Sequence, residues 1–161
     1  MKFSEIRNAL SGFHQVIRPL MKVDDADWLP TVDAKWLDER DPIFKNRFGV
    51  YFYSSEAGDV LYIGKGQDST LLQRVWRHLA RPSLERKNSA DRAGLTIYPE
   101  HQWNGPGGEY EAAASIIARG EFGIDALALL PSHVAGLYES FALTVCQLSE
   151  NCLPTLNRKL G

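Results

Sequence analysis

Apolar residues recur at helical spacing near the start of the chain. Ile6, Leu10, Phe13 and Ile17 share one face of a segment from Ser4 to Met21, which predicts an amphipathic helix with Ser4 as N-cap and an end or bend at Pro19. Asp24 to Trp36 is acidic, carries Trp28 and Trp36, and reads as an irregular loop or a short helix after Pro30. Phe48–Ser54 and Asp59–Gly64 are rich in Val, Ile, Phe and Tyr, with Ala57-Gly58-Asp59 between them, and read as two strands of a hairpin. Leu71–Arg81 is a second amphipathic helix. From Arg81 to Gly108 no period is clear, apart from a short strand candidate at Leu95–Tyr98. Pro82, Pro99 and the run Asn104-Gly105-Pro106-Gly107-Gly108 mark this stretch as an insertion or long loop. An Ala-rich helix at Glu109–Ala118, a buried strand at Ile124–Leu130, an apolar helix at Val134–Leu148 and an irregular tail from Cys152 complete the chain.

The order hairpin, helix, insertion, helix, strand, helix, tail is an α+β pattern with a small sheet. Residues 1–47 are expected to form an N-terminal helical extension that caps the domain 48–161, because ~45 residues make a poor core alone. The chain of 161 residues is long enough for one domain without staples. Cys146 and Cys152 are expected to be reduced thiols, and they lack the second pair a zinc site needs. No apolar run reaches the ~18 residues of a membrane span. The N-terminus lacks a signal-peptide pattern, so a cytoplasmic location without membrane association is expected.

Net charge is −2, which taken alone argues against a nucleic-acid binder, a class that usually shows a basic footprint. The distribution changes that picture. Between Leu61 and Gly94, Lys65, Arg74, Arg77, Arg81, Arg86, Lys87 and Arg92 face only Asp68, Glu85 and Asp91, a local excess of 7 − 3 = +4. A positive field of this kind suits nucleic acid. Along the helix from Leu71, Leu72, Val75, Trp76 and Leu79 share one face, and Arg74, Arg77, His78 and Arg81 the opposite one. That second face is either a solvated basic surface or a surface for phosphate. Centring the hairpin loop between Glu56 and Ala57 places Tyr51 directly opposite Tyr62, on one face. Such a pair is by itself an ordinary stabiliser of a sheet. Glu139 is the only charged residue between Asp125 and Glu150. A lone carboxylate on an apolar helix is exposed, paired with a basic group, or a metal ligand. His14, His101 and His133 are scattered, without ligand spacing.

Taken in order, these positions resemble the GIY-YIG nuclease superfamily. Gly49-Val50-Tyr51 resembles the first half of the name motif, with Val in place of Ile, and Tyr62-Ile63-Gly64 matches the second half. The tyrosines are 62 − 51 = 11 positions apart, a spacing typical of that family. Arg74 matches the family arginine, His78 a histidine found in several branches, Glu139 the metal-binding glutamate and Asn157 the C-terminal asparagine. The resemblance covers Phe48 to Gly161. It departs from the minimal domain in the insertion 81–108.

The resemblance implies a three-stranded antiparallel sheet flanked by helices, and hydrolysis of phosphodiester bonds in nucleic acid, with DNA ahead of RNA. It also implies one Mg²⁺ or Mn²⁺ ion held by Glu139. By analogy Tyr51 is the general base, Arg74 relieves charge at the phosphate, and Tyr62, His78 and Asn157 complete the catalytic set. Since a free phenol has a pKa near 10, a base role for Tyr51 needs positive charge nearby, from Lys65, Arg74 or His78. Lys65, Arg77, Arg81, Arg86, Lys87 and Arg92 are the expected nucleic-acid contacts. The low net charge would suit help from a homodimer or a protein partner. Two other readings stand beside this one: a non-catalytic nucleic-acid-binding module on the same fold, and a nuclease toxin acting with a protein partner. Restriction, repair and mobile-element roles use the same fold, and the target is not legible in the chain.

Overall fold

The computed structural model describes residues 1–37, 42–80 and 109–157. The first helix, α1 (Phe3–Met21), buries Ile6 and Leu10 completely. Its N-cap is Lys2 rather than Ser4: the Glu5 carboxylate reaches back to the Lys2 amide at 2.9 Å and takes a donor that the helix leaves unpaired. Pro19 lies inside the last turn on the exposed side, and the helix runs past it to a left-handed Lys22.

The segment after α1 is neither loop nor helix. Asp25–Trp28 forms β1 and Val32–Asp33 forms β2, and both pair antiparallel with a later strand; a 3-10 turn follows at Ala34–Trp36. Alternation explains β1: Ala26 and Trp28 pack inward while acidic residues stand between them. The hairpin is β3 (Gly49–Ser55) and β4 (Val60–Gly66), and the strand expected near Ile124 is β5 (Phe122–Leu130). The sheet order is β1-β5-β3-β4, with β2 also on β5. The protein is therefore α+β with a small antiparallel sheet, wider than the three strands expected because the N-terminal segment joins it.

Helices cover both faces. Val50, Phe52, Ile63, Leu127 and Leu129 pack against α1 and against α4 (Ala135–Glu150), which brings Tyr138, Ala142 and Cys146. Tyr51, Tyr53, Ile124 and Ala126 face the other way. They meet Leu71, Leu72 and Val75 of α2 (Leu71–Ala80), and Ala113 and Ile117 of α3 (Glu109–Arg119). A Thr70–Gln73 capping box starts α2, with both hydrogen bonds at 3.2 Å. The strand candidate at 95–98 and the rest of the insertion 81–108 lie outside the described residues.

The hairpin register differs from the expected one. Tyr51 stands opposite Gly64, and Tyr53 opposite Tyr62, while Ser54 pairs with Val60. The shift between Tyr53 and Ser54 leaves Leu61 as an extra residue on β4, a β-bulge. The turn, with Ser54 opposite Val60, displaces the register by one residue and the bulge by one more, and the displacement of two keeps Tyr51 and Tyr62 on the same face.

The outer edge of β4 is closed by the tail. Leu156 donates its amide to the Leu61 carbonyl at 2.9 Å. The Asn157 side chain accepts from the Ile63 amide and donates to the Ile63 carbonyl, both at 2.8 Å. The asparagine amide thus replaces a neighbouring strand at this one residue and masks an open edge.

Candidate active site at the edge of strand β4

Three tyrosine rings cluster on the α2 side of the hairpin. Ring centres are 5.9 Å apart for Tyr51 and Tyr62, 5.4 Å for Tyr51 and Tyr53, and 5.4 Å for Tyr53 and Tyr62. Tyr51 and Tyr53 are fully buried, whereas Tyr62 is partly exposed. The ring of Tyr51 lies across Gly64, where a Cβ would stand 2.5 Å from its Cζ and 2.6 Å from its hydroxyl oxygen. The glycine of Tyr62-Ile63-Gly64 is therefore a space requirement of Tyr51.

Burial pushes the Tyr51 phenol well above its usual pKa, and the neighbouring Tyr62 and Tyr53 add to the effect. Arg74 acts in the opposite direction, but more weakly, and the hydrogen bond between the Tyr51 and Tyr62 side chains also favours the neutral phenol. At neutral pH Tyr51 keeps its proton and acts as a hydrogen-bond donor. The positive charge expected to make it a base is present in Arg74 and is outweighed by desolvation. Tyr62, not Tyr51, is the member of the pair that meets solvent.

Arg74 is half-buried on the first turns of α2, on the tyrosine side of the sheet. His78 and Arg77 lie on the same helix; their side chains are outside the described residues, as are Arg81, Arg86, Lys87 and Arg92. Asn157 is at the site but is spent: both ends of its amide bind the Ile63 backbone.

Glu139 belongs to α4, which covers the opposite face of the sheet from Tyr51. It is 8% exposed, and its Oε2 lies 2.8 Å from Lys65 Nζ. Oε2 has no hydrogen bond among the described residues, so this contact is an ion pair by distance without a well-directed hydrogen bond. Of the three fates open to a lone carboxylate, pairing is the one observed, and Lys65 is its partner. Lys65 follows Gly64 in sequence, so the two halves of the candidate site meet at Tyr62–Lys65. Tyr51 and Arg74 approach this segment from one face, Asn157 along the edge, and Glu139 from the other face.

Among the described residues no three His, Cys, Asp or Glu side chains are grouped to hold a metal ion. A Mg²⁺ site of one carboxylate completed by water and phosphate needs no such group. The buried Glu139 Oε2, facing a cation and lacking a hydrogen bond, offers that single hard ligand, at the position now held by the Lys65 ammonium. His14 is used in packing: its Nδ1 lies 2.7 Å from the Tyr138 hydroxyl. Both cysteines are free, Cys146 buried and Cys152 exposed. Among the described residues no helix is long and apolar enough to cross a membrane.

Two participants are absent from the sequence reading. Tyr53 completes the tyrosine cluster, and its position two residues after Tyr51 was the available signal. The Lys65–Glu139 pair had no local signal, since it joins residues far apart in the chain. Comparison with protein-family models, with curated proteins and with solved structures finds no match.

Proposed function

We infer that the protein is a metal-dependent phosphodiesterase acting on nucleic acid, of the GIY-YIG kind, with its site at the outer edge of β4. The observation that carries this reading is the gathering of Tyr51, Tyr62, Arg74, Glu139 and Asn157 around the four residues Tyr62–Lys65. These side chains come from two strands, two helices and the tail. Packing alone does not require an arginine beside the tyrosines on one face of this segment and a buried carboxylate on the other.

Roles follow from exposure and charge. Tyr62 is the tyrosine placed to touch substrate, and Tyr51 supports it from behind through their hydrogen bond. Arg74 offers fixed positive charge to a phosphate undergoing attack. Glu139 would hold the metal ion, which supplies charge relief at the leaving oxygen. Asn157 fixes the backbone on which Tyr62 and Gly64 sit, and so is a positioning residue. DNA is the expected substrate class, by resemblance.

The test is cleavage of plasmid DNA and of a structured RNA with Mg²⁺ or Mn²⁺. Metal-dependent nicking is expected, lost in Glu139→Ala and reduced about 10²-fold or more in Arg74→Ala. No metal-dependent cleavage of any substrate would remove the enzyme reading. A second reading, a non-catalytic nucleic-acid-binding module, draws support from the buried, protonated Tyr51 and from the Lys65 ammonium on Glu139. It expects salt-dependent binding without cleavage.

A further inference from the structure

We propose that Lys65 is an internal counter-ion that blocks divalent metal at Glu139 until a phosphodiester draws its ammonium away, so that metal and nucleic acid bind cooperatively. The inference rests on the metal-binding reading of Glu139 given above.

The two partners are unequally placed. The Glu139 side chain is 11% exposed and that of Lys65 is 36% exposed. The carboxylate is the fixed, buried member; the ammonium reaches it from the solvent side on a flexible stem. A carboxylate at this depth is costly without a cation beside it. A cation beside Glu139 offsets that cost, and the ammonium and a metal ion compete for Oε2. Next to Lys65 the pair is neutral, and a divalent ion gains little by approaching it. Gly136, on the first turn of α4, lies beside the ammonium: a Cβ there would stand 3.6 Å from Lys65 Nζ and 3.1 Å from Gln67 Oε1.

A phosphodiester anion at the β4 edge offers Lys65 a second partner, which it binds as a point charge. When the ammonium moves to the phosphate, Glu139 is left needing a cation, and a divalent ion ligated by the same phosphate meets that need. Metal and nucleic acid then each tighten the other by the same factor. The exchange makes and breaks no covalent bond.

The experiment is Mn²⁺ titration of the full chain, following the electron paramagnetic resonance of the free ion, with and without dimethyl phosphate as a simple phosphodiester. Wild type is expected to bind weakly and to tighten several-fold with dimethyl phosphate. Lys65→Met is expected to bind about tenfold more tightly than wild type, with a smaller further gain from dimethyl phosphate than wild type shows. Glu139→Gln should abolish the site in either background. If Lys65→Met fails to fold because Glu139 is left without a partner, Lys65→Gln carries the test, and Mn²⁺ should raise its melting temperature more than that of wild type. Equal Mn²⁺ affinity of wild type and the Lys65 variants would overturn the inference and leave the metal at Glu139 standing, as would an unchanged wild-type affinity in dimethyl phosphate. Binding indifferent to Glu139→Gln in every background would remove the metal reading and this inference together.

Discussion

An added methyl group at Gly64 would stand 2.5 Å from Tyr51 Cζ, and Tyr51 is fully buried. Gly64→Ala is therefore expected to lower stability by about 1–3 kcal/mol, read as a lower urea midpoint. An unchanged midpoint would mean that the tyrosine cluster is looser than its burial indicates. Asp125 sets a different constraint. It is 7% exposed and accepts a hydrogen bond from Thr31 Oγ1 at 2.6 Å. Burial raises its pKa despite the opposing pull of that bond and of Arg7. A raised carboxyl pKa means that the folded state binds the proton more tightly than the unfolded state. Its contribution is therefore most favourable below the unfolded value and is lost as pH rises through the folded one. Asp125→Asn keeps the acceptor without the charge. It should gain on wild type as pH rises above the ordinary Asp range. A constant difference between the two proteins from pH 3 to 7 would contradict this.

The edge of β4 is held by the tail rather than by another strand. Asn157→Ala removes two hydrogen bonds to Ile63 and is expected to cost about 1–3 kcal/mol. Hydrogen exchange at the Ile63 amide, now bonded to the Asn157 side chain, should quicken more than that at other core amides of β3 and β5. Equal slowing or quickening across the sheet would show that Asn157 does not act locally. Elements such as these mark the limit of what the chain discloses. β3, β4, β5 and α2 to α4 were legible because their apolar runs and periods are local. β1 was not: Asp25-Ala26-Asp27-Trp28 alternates, but it becomes a strand only by pairing with Leu127–Leu130, far along the chain. The hairpin register was missed because the turn is centred later than expected and Leu61 bulges, neither of which leaves a local signal. The candidate site residues were visible as a set in order, while the Lys65–Glu139 pair and the two hydrogen bonds of Asn157 depend on tertiary contact alone.

At the scale of the whole molecule, α1 and β1 belong to the core that β3 and β5 build. Ile6 and Leu10 are fully buried against that sheet face, and Phe3 packs its ring on Phe52 at 5.3 Å. Removing residues 1–28 would uncover this face and the outer edge of β5. The shortened chain is expected to lose its cooperative thermal transition and its near-ultraviolet circular dichroism. A truncated protein that melts as sharply as the full one would make the N-terminal segment a dispensable appendage.

The Ile63–Asn157 contact also ties the finished state of β4 to the order of synthesis. The two residues are 94 positions apart, a stretch that takes roughly 5–20 s to translate. During that interval the Ile63 amide and carbonyl lack the Asn157 partner they have in the folded protein. β1 and the hairpin likewise wait for β5 before they share a sheet. The strand that carries Tyr62 and Lys65 is thus made well before the tail that secures it, and the nascent protein completes its candidate site only once Asn157 has emerged.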